Sequence, residues 1–242
     1  KLSKNFFFDV RTIKTSGDIH NTQRLDQIGG KGLFTREIEM KLISGEIDLA
    51  VHSMKDLPSQ EINSELEIIC WLQRYHSEDA LISNSGSNFF DLPAGSTIGT
   101  SSIRRRSQIL SLRKDLSIKL LRGNVDTRIQ KLNNEEYDAI ILSKAGLDRL
   151  NLSHLITEVL DHSHFLPASC QGAVGIQAKR ENTIIEHIRK INNTTTECEC
   201  LAERKLLKHI NANCNSPISV FAEILSEKIK ISCEVFEHDG NK

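Results

Sequence analysis

Along this sequence, stretches in which apolar residues recur about every four positions alternate with stretches in which they recur every two. The first pattern is typical of helices and the second of strands, so the sequence predicts strands that alternate with helices. Apolar residues recur every four positions in GLFTREIEMKLISGEI, which predicts one face of a helix, at Phe34, Ile38 and Leu42. Gly45 follows as a candidate C-terminal cap. Alternating apolar residues then predict a short strand, at Ile47, Leu49 and Val51. The stretch FFFDVRTI, residues 6–13, starts as an apolar run and then alternates, so it predicts another strand.

A second group of strand and helix signals follows the polar stretch SNSGSNFFDLPAGS, which predicts a loop. STIGTSSIRRRSQIL predicts a strand, a turn and a helix, and LSIKLLRGNVDTRIQKL repeats that plan with a helix capped near Asn124. YDAIILSKAGLDRL predicts a buried strand and a short helix, and LPASCQGAVGIQAK predicts a loop and a strand. Alternation of this kind is typical of an α/β fold with a largely parallel sheet.

The pattern changes near residue 194. TECECLAERKLLKHI predicts a helix with a capping box from Thr196 to Glu199. The apolar face of this helix is expected to include Leu206, Leu207 and Ile210. SPISVFAEI and KIKISCEVF then predict two adjacent strands, the second from the alternation of Ile229, Ile231, Cys233 and Val235. One helix on two strands indicates an α+β module.

Composition excludes several classes of function. The chain has 242 residues and a formal net charge of -1, so it has no bulk positive field for nucleic acid. Its apolar runs are shorter than the roughly 20 residues that a membrane helix needs. Six irregularly spaced cysteines are not typical of a disulfide framework, which favours a reducing compartment. No signal peptide opens the chain, although its first residue is Lys1 rather than Met.

Basic residues follow several predicted strands, at the edge where open α/β sheets bind their ligands. Arg104, Arg105 and Arg106 lie in the first turn of a predicted helix, where the helix dipole favours anions. Further arginines follow later strands, at Arg122, Arg128 and Arg149. Arginine suits bidentate pairing with carboxylates, so the set predicts a cleft for a carboxylate-bearing ligand. The alternative is that these are separate, solvated surface residues.

Lys55 and Asp56 lie side by side in LAVHSMKDLP, where a predicted strand ends. The residues alone leave two interpretations open. One is a surface ion pair of little energetic value. The other is a cleft carboxylate with a catalytic role.

The motifs of the chain occur in an order that resembles the porphobilinogen deaminase, or hydroxymethylbilane synthase, family. They are GGKGLFTREIEMKLISGEIDLAVHSMKDLP, IGTSSIRRRSQIL, LRGNVDTRIQKL, YDAIILSKAGLDRL and QGAVGIQAK. ERKLLKHINANCNSPISVFAEI resembles the cysteine segment of that family's third domain. The resemblance covers essentially the whole chain. It implies a cytoplasmic, monomeric transferase of haem biosynthesis that joins four porphobilinogen units head to tail into hydroxymethylbilane, with release of ammonia.

The resemblance also implies three domains. Two are α/β domains like type II periplasmic binding proteins, and the third is a small α+β domain that holds the cofactor. We place domain 1 at residues 1–74 and 170–193, domain 2 at 75–169 and domain 3 at 194–242.

The same resemblance implies which residues contact the cofactor and the substrate, whose pyrrole rings each carry two carboxylates. Those implied to contact the cofactor are Asp56, Lys55, Ser101, Ser102, Arg104 and Arg105. Those implied to bind the substrate are Arg122, Arg128, Arg149 and Lys31. Arg106 is not carried over, because relatives commonly have a non-basic residue there.

Asp56 matches the catalytic aspartate of the family. Its carboxylate can stabilise the cationic azafulvene that forms when ammonia leaves, and it can take part in the proton transfers. Lys55 is expected to keep Asp56 ionised. Cys214, in the turn NANCNSP, matches the cysteine that carries a dipyrromethane cofactor through a thioether bond, a role that needs an accessible thiol.

The remaining cysteines and His52 are expected to have structural or supporting roles. No metal is expected, since Cys198 and Cys200 lack a usual ligand spacing for zinc. Some features depart from the family: its N-terminal Arg-x-Ser-x-Leu-Ala strand is missing, and the end of domain 3 looks incomplete. Cys170 and its neighbour replace the usual residues before Gln-Gly, and Gln27 stands where relatives often have lysine.

A function of another class stays open at this point. Two α/β units around an arginine-lined cleft also describe a solute-binding protein for a small dicarboxylate. Such a protein normally has a secretion signal and has no reason to present Cys214 on a third module.

Overall fold

Strands and helices alternate over most of the chain in a computed structural model, which describes residues 6–15, 35–59, 63–212, 216–237 and 239–241. The strands are β1 Leu49–Ser53, β2 Leu66–Trp71, β3 Asp79–Ser83, β4 Thr97–Gly99, β5 Ser117–Lys119, β6 Ala139–Ser143, β7 Glu158–Leu160, β8 Val174–Lys179, β9 Ile218–Leu225 and β10 Lys228–Val235. The α-helices are α1 Arg36–Ser44, α2 Ile103–Leu112, α3 Val125–Asn133, α4 Lys144–Arg149, α5 Ile185–Ile188 and α6 Thr194–His209. The predicted α/β class is confirmed.

The first sheet has the strand order β1–β8–β2, so its central strand comes last in the sequence. Both pairings are antiparallel, and Ala50 of β1 lies opposite Gln177 of β8. Helix α1 packs on this sheet through Leu42, which is buried with Ala50 and Leu66. Gly45 ends α1 in the left-handed conformation, with φ 74°, which confirms the predicted cap.

The second sheet has five strands in the order β5–β4–β6–β3–β7 and a core on each face. Successive residues of a strand point to opposite faces, so the apolar strands β3 and β6 contribute to both cores. Leu81 of β3 packs with Ile109 of α2 on one face. Ile140 of β6 packs with Leu132 of α3 on the other. The helices therefore cover both faces of this sheet.

The prediction of a largely parallel sheet is wrong for the described part of the chain. Only β4 pairs in parallel, with β5 and β6, whereas the other pairings are antiparallel. Parallel neighbours need a crossover connection, usually a helix. Strands β3 and β8 instead enter their sheets from the other sheet, through segments without a helix, and they run antiparallel to their neighbours.

These two segments, residues 72–78 and 161–173, are called the first and second crossover below. They touch at Gly172 of the second crossover, which has φ 86°. A Cβ there would lie 2.5 Å from the carbonyl oxygen of His76. Glycine is therefore required for both its backbone conformation and its lack of a side chain.

The chain after residue 193 forms helix α6 and the antiparallel pair β9–β10. The predicted capping box is wrong, because α6 begins at Thr194 and its cap is Asn193, whose side-chain oxygen accepts from the Thr196 N–H at 2.8 Å. The predicted apolar face is only partly correct, because Leu206 and Leu207 are half-buried. Ile210 is exposed and the buried side chains include Glu203 and Arg204, which are buried because they have polar partners. None of the helices in the described ranges is long and apolar enough to cross a membrane.

The predicted strand at residues 6–13 is wrong, since residues 6–15 have no strand structure. Phe7 is 97% exposed and Val10 is 87% exposed, so the alternation does not mark a buried face. Among the described residues, the ring contact of this segment with another part of the chain is that of Phe6 with His187, at 5.0 Å between centroids. A strand needs a hydrogen-bonded neighbour, and none of the described strands pairs with this segment. Phe34 of the predicted helical face lies outside the described residues.

Candidate active site

The turn after β1 holds Lys55 and Asp56 between two buried anchors. After β1 the chain makes one 3-10 turn, Met54–Asp56. Met54 and Leu57 are buried, and the Met54 N–H donates to the carbonyl oxygen of Ala173 at 3.1 Å. Lys55 and Asp56 are exposed. The anchors therefore fix the backbone of a turn whose two charged side chains remain accessible.

Lys55 and Asp56 share this region with several other charges. Although the Lys55 side chain is accessible to solvent, the surrounding protein desolvates its ammonium and lowers its pKa. Asp56 opposes this effect on the pKa, and the positive charges of Arg105 and Arg104 add to it. Asp56 accepts no hydrogen bond from the described residues. Its carboxylate is thus available to a ligand beside a set of cations.

The start of α2 holds Arg104 and Arg105 behind a capped turn. Ser102 is the cap, and its hydroxyl accepts from the Arg105 N–H at 3.4 Å. The Thr100 hydroxyl accepts from the Ser102 N–H at 3.1 Å, and Ser101 is half-buried. Both arginines are 6% exposed, so they are not the solvated surface residues of the alternative interpretation.

Asp79, the first residue of β3, is the internal partner of both arginines. One of its oxygens is 2.8 Å from Nη2 of Arg104, and the other is 2.6 Å from Nη2 of Arg105. Burial by itself would raise the pKa of Asp79, but the two guanidinium charges outweigh it and hold the pKa well below its usual range. The Gln171 amide donates to the same carboxylate at 2.8 Å. Asp79 therefore already neutralises part of the positive charge that would attract an anion to this end of the helix.

One carboxylate does not saturate two guanidiniums. Nη1 of Arg104 donates to the Leu166 carbonyl at 2.9 Å, and Nη1 of Arg105 donates to the Ile141 carbonyl at 3.0 Å. The Nε atoms of Arg104, Arg105 and Arg106 are buried and have no partner among the described residues. Unsatisfied buried donors are costly, so this region suits a further acceptor such as a ligand carboxylate.

Arg122 and Arg128 lie before and within α3, near the same charges. Nε of Arg128 donates to the Gly123 carbonyl at 2.7 Å. Burial, followed by the charges of Arg105 and Arg122, lowers the pKa of Arg128 to about 10, while Asp56 opposes the change. Burial also lowers the pKa of Arg122. Because these charges act on Arg128, the four residues lie in one region of the protein: Arg105, Arg122, Arg128 and Asp56. This agrees with the prediction that basic residues after the strands gather at one edge of the sheet.

Arg149 contacts a different part of the protein from these arginines. Its Nη2 donates to the Gly172 carbonyl at 3.0 Å, at the point where the two crossovers meet. It lines an open pocket of about 250 Å³ together with Leu72, Gln73, Tyr75, Asp148 and Val174. The structure thus places Arg149 beside the crossovers, and its predicted contact with substrate stays a prediction.

Two predicted site residues, Lys31 and Cys214, lie outside the described residues, as does Gln27. Among the other cysteines, Cys70, Cys170 and Cys200 are buried, and Cys198 and Cys233 are exposed. In the described part of the chain, no three side chains of His, Cys, Asp or Glu are grouped to hold a metal ion.

His52 lies on β1 of the first sheet, and its side chain is buried. Its Nε2 lies 2.9 Å from the amide oxygen of Gln177, and burial lowers its pKa. It makes no hydrogen bond to Asp56. This geometry favours the structural or supporting role expected from the sequence.

Asp79 and Gln171 are not among the site residues that the sequence predicts. Asp79 stands in HSEDALIS immediately before an apolar run, so a charge entering a buried strand was the available signal. Its partners lie 25 and 26 positions away for the arginines and 92 for the glutamine, so no local pattern identifies them.

Comparison with known proteins gives the same family over both parts of the chain. Residues 1–187 match the family described as "Porphobilinogen deaminase, dipyromethane cofactor binding domain". Residues 197–242 match "Porphobilinogen deaminase, C-terminal domain".

Two relatives named porphobilinogen deaminase illustrate the similarity. The Chlorobaculum parvum protein is 42% identical over 244 residues, covering 99% of this chain and 78% of the relative. The Lysinibacillus sphaericus protein is 44% identical over 238 residues, covering 98% of this chain and 76% of the relative. Among solved structures, the VFT2 domain of BvgS from Bordetella pertussis matches with a TM-score of 0.38 and 15% identity, covering 73% of this chain and 72% of that chain.

Proposed function

This chain belongs to the porphobilinogen deaminase family, and from that membership we propose that Asp56 is its catalytic residue. The family's activity is transfer of porphobilinogen units into hydroxymethylbilane in tetrapyrrole biosynthesis, and this is the activity of the chain. The observation that carries the proposal is the accessible Asp56 carboxylate, without a hydrogen bond from the described residues, next to buried arginines with unused donors.

The cationic residues suit the carboxylates of the substrate and of the dipyrromethane cofactor. Ser101, Ser102, Arg104 and Arg105 at the start of α2, together with Lys55, are the proposed contacts of the cofactor. The proposed contacts of the substrate are Arg122, Arg128, Arg149 and Lys31. Support comes from the buried Nε atoms of Arg104 and Arg105, which lack a partner among the described residues and fit a carboxylate acceptor. When bound, dipyrromethane supplies the pyrrole end to which new units are added.

The chemistry of Asp56 follows from its charge. When ammonia leaves the aminomethyl group of porphobilinogen, the remaining azafulvene carries positive charge. A fixed carboxylate stabilises that cation and accepts hydrogen bonds from pyrrole N–H groups. It also takes part in proton transfer at the leaving amine and at the attacked ring carbon. Asp56 counteracts the lowering of the Lys55 pKa, because a nearby opposite charge favours the charged form of the ammonium.

Attachment of the cofactor is assigned to Cys214. This residue lies in the motif that resembles the family's cofactor-bearing cysteine, and a thiol can attack an azafulvene to form a thioether. Three domains are part of the proposal, at residues 1–74 with 170–193, 75–169 and 194–242. The three separate sheets support this division, since each falls within one of these ranges. A monomer located in the cytoplasm completes the proposal.

The alternative function, binding of a small dicarboxylate by a solute-binding protein, is not favoured. The two family matches and the named relatives concern porphobilinogen deaminase. The discriminating quantity is the mass of the intact protein, which should exceed the mass of the polypeptide by two deaminated porphobilinogen units.

The test of the catalytic proposal compares Asp56→Asn with Asp56→Glu. Asn keeps the size and one acceptor oxygen of Asp56 but removes its charge, whereas Glu keeps the charge and moves it by one methylene. Loss of one such stabilising group typically lowers the rate by about 10²–10³. We expect the turnover rate of Asp56→Asn to fall by at least this factor, whereas Asp56→Glu should retain measurable turnover. The measurement is steady-state consumption of porphobilinogen.

Cofactor content is the control in this experiment. Each variant is first weighed by mass spectrometry, and peptide masses are used to locate the adduct, which is expected on Cys214. A variant that never acquired dipyrromethane would be inactive for a different reason. If cofactor-loaded Asn and Glu variants turn over equally fast, charge is not what Asp56 supplies and its proposed role is wrong.

A further inference from the structure

We propose that Asp79 is a positioning residue, which holds the guanidinium groups of Arg104 and Arg105 in place for a ligand carboxylate. This inference rests on the proposed function, because it gives Asp79 a role through two residues of the proposed cofactor site. Asp79 itself is completely buried and is not expected to touch the ligand.

The geometry supports a role in orientation. Each oxygen of Asp79 contacts a different guanidinium, at 2.8 Å for Arg104 and 2.6 Å for Arg105. A carboxylate shared in this way fixes the direction of both planar groups at once. Backbone carbonyls of Leu166 and Ile141 hold the adjacent Nη1 atoms. Both arginines therefore have defined positions before any ligand is bound.

The charges also require Asp79. Arg104 and Arg105 are adjacent in the sequence and buried, so their positive charges repel each other in an environment with little water. The carboxylate of Asp79 compensates one of the two charges. The pair therefore keeps a net positive charge and buried Nε donors without a partner among the described residues. The carboxylate of Glu234 also acts on Arg104, more weakly than Asp79 does, and the unpartnered Nε donors remain suited to one further carboxylate.

The position of Asp79 is in turn fixed by the second crossover. The side-chain amide of Gln171 donates to Asp79 at 2.8 Å and to the Ser77 carbonyl at 2.7 Å. Gln171 is 1% exposed, so these bonds are shielded from water. The arginines are thus held through Asp79 against the segments that connect the first and second sheets.

A purely structural ion cluster is the competing explanation. In that case, changing Asp79 would lower stability but would leave substrate binding by the folded, cofactor-loaded enzyme unchanged. The two explanations are separated by KM and kcat for porphobilinogen, and by the dependence of the effect on Arg105.

The principal variant is Asp79→Glu, which keeps the charge but moves it by one methylene, and Asp79→Asn is the second. Both are compared as cofactor-loaded protein, with the loaded fraction determined by intact mass. We expect a smaller loaded fraction, because Arg104 and Arg105 are proposed to hold the carboxylates of the cofactor. We also expect a KM for porphobilinogen raised about tenfold, the effect of one charge-assisted hydrogen bond, because the cofactor presents the pyrrole end to which the substrate is added. The value of kcat should change little, because carboxylate pairing is the same in the ground and transition states.

Asp138→Asn is the matched control. Asp138 immediately precedes β6 of the same sheet, and its carboxylate accepts from the Thr97 N–H at 2.6 Å. Its loss should lower the melting temperature without changing KM. If the Asp79 variants are folded and loaded with unchanged KM, the inference is wrong. If neither Asp79 variant folds although Asp138→Asn does, Asp79 serves folding and the inference is also wrong.

A double-mutant cycle with Arg105→Leu tests whether Asp79 acts through Arg105. In the Arg105→Leu background, Asp79→Glu should add much less than its separate tenfold effect, because the group to be positioned is absent. Fully multiplicative effects would contradict the inference. Full activity of Arg105→Leu would instead contradict the proposed cofactor site. Reduced activity of Arg105→Leu with unaffected Asp79 variants would overturn only the role of Asp79.

Discussion

Arg128 illustrates, at the scale of one residue, the conflict between stability and anion binding in this cleft. Its side chain is half-buried and lies near the charges of Arg105 and Arg122. Desolvation and these like charges lower its pKa to about 10, well below the ordinary value of an arginine, so the folded state holds the cation at a cost. A carboxylate ligand would compensate that cost.

Replacement of Arg128 by methionine should therefore raise stability while lowering activity. A pKa change of one unit corresponds to about 1.4 kcal/mol. Because Arg128 is half-buried, roughly half of its pKa change counts toward stability, and loss of its bond to Gly123 offsets about 1 kcal/mol of that gain. We expect a net gain of about 1 kcal/mol, or about 2–4 °C in melting temperature. The measurements are thermal unfolding and porphobilinogen turnover.

Arg113→Met is the control for this prediction. Arg113 pairs with Asp115 and donates to the carbonyls of Phe90 and Leu92, and the pairing raises its pKa. Its loss should lower the melting temperature. A lower melting temperature for Arg128→Met as well would contradict the idea that the Arg128 cation is held at a cost.

At the scale of single elements, the two helices that follow an asparagine, α3 after Asn124 and α6 after Asn193, differ in whether its side chain caps the helix. Asn193 accepts from the Thr196 N–H and caps α6, which packs against the β9–β10 pair. Asn124 precedes α3 in an extended conformation, but its side chain makes no cap hydrogen bond. The same residue type therefore satisfies a helix end in one case only.

Asn193→Ala should consequently destabilise the protein more than Asn124→Ala. Loss of a hydrogen-bonding cap costs about 0.5–2 kcal/mol, because a backbone N–H of the first turn loses its partner. We expect a cost of about 1 kcal/mol for Asn193→Ala, measured by urea unfolding. Equal destabilisation by the two substitutions would show that the observed cap hydrogen bond contributes nothing.

The elements that sequence patterns predicted correctly carry both a period and a boundary signal. Helix α1 has an apolar stripe and a terminal Gly45, and the strand and helix of YDAIILSKAGLDRL have an apolar run and a change of period. Residues 6–13 show alternation alone, and alternation cannot reveal whether a partner strand exists. The buried face of α6 escaped prediction because Glu203 and Arg204 are satisfied by groups far along the chain.

The candidate site was predictable to a similar extent. Strand ends and helix starts indicate where charged residues gather, which brought Arg105, Arg122 and Arg128 to one region. The pairing partner Asp79 could not be found in this way, because its contacts depend on how two crossovers and a helix pack together. The roles of Asp56 and Cys214 came from the resemblance and not from periodicity.

At the scale of the whole molecule, the carboxylate of Glu203 joins the first and second crossovers to the third module. Glu203 lies on α6 and is completely buried. It accepts from Nη1 of Arg74 in the first crossover at 2.7 Å and from the Cys170 N–H in the second. It also accepts from the Ala222 N–H of β9 at 2.9 Å. The packing of the two crossovers against α6 and β9 thus depends on the side chain of Glu203.

Glu203→Gln should be strongly destabilising for this reason. Removing one partner of a buried ion pair costs about 3–5 kcal/mol, because the other charge is left uncompensated. We expect the melting temperature to fall by about 10 °C. The control is Glu199→Gln on the same helix, since Glu199 accepts from the Ile224 N–H but lies 3.9 Å from Arg74. A loss no greater than that of the control would contradict a joining role for Glu203.

The order of strands in the first sheet has a consequence for synthesis of the chain on the ribosome. Strand β8 separates β1 from β2, and 125 positions separate His52 from Gln177, which it contacts in the finished sheet. At about 5–20 residues per second, β1 waits roughly 6–25 seconds for that partner to be translated. The second sheet lies wholly within this interval of the chain and can form first. During the delay, the nascent chain exposes the unpaired edges of β1 and β2, because their central strand β8 has not yet been made. We therefore expect chaperones to bind the nascent chain chiefly at this stage of translation.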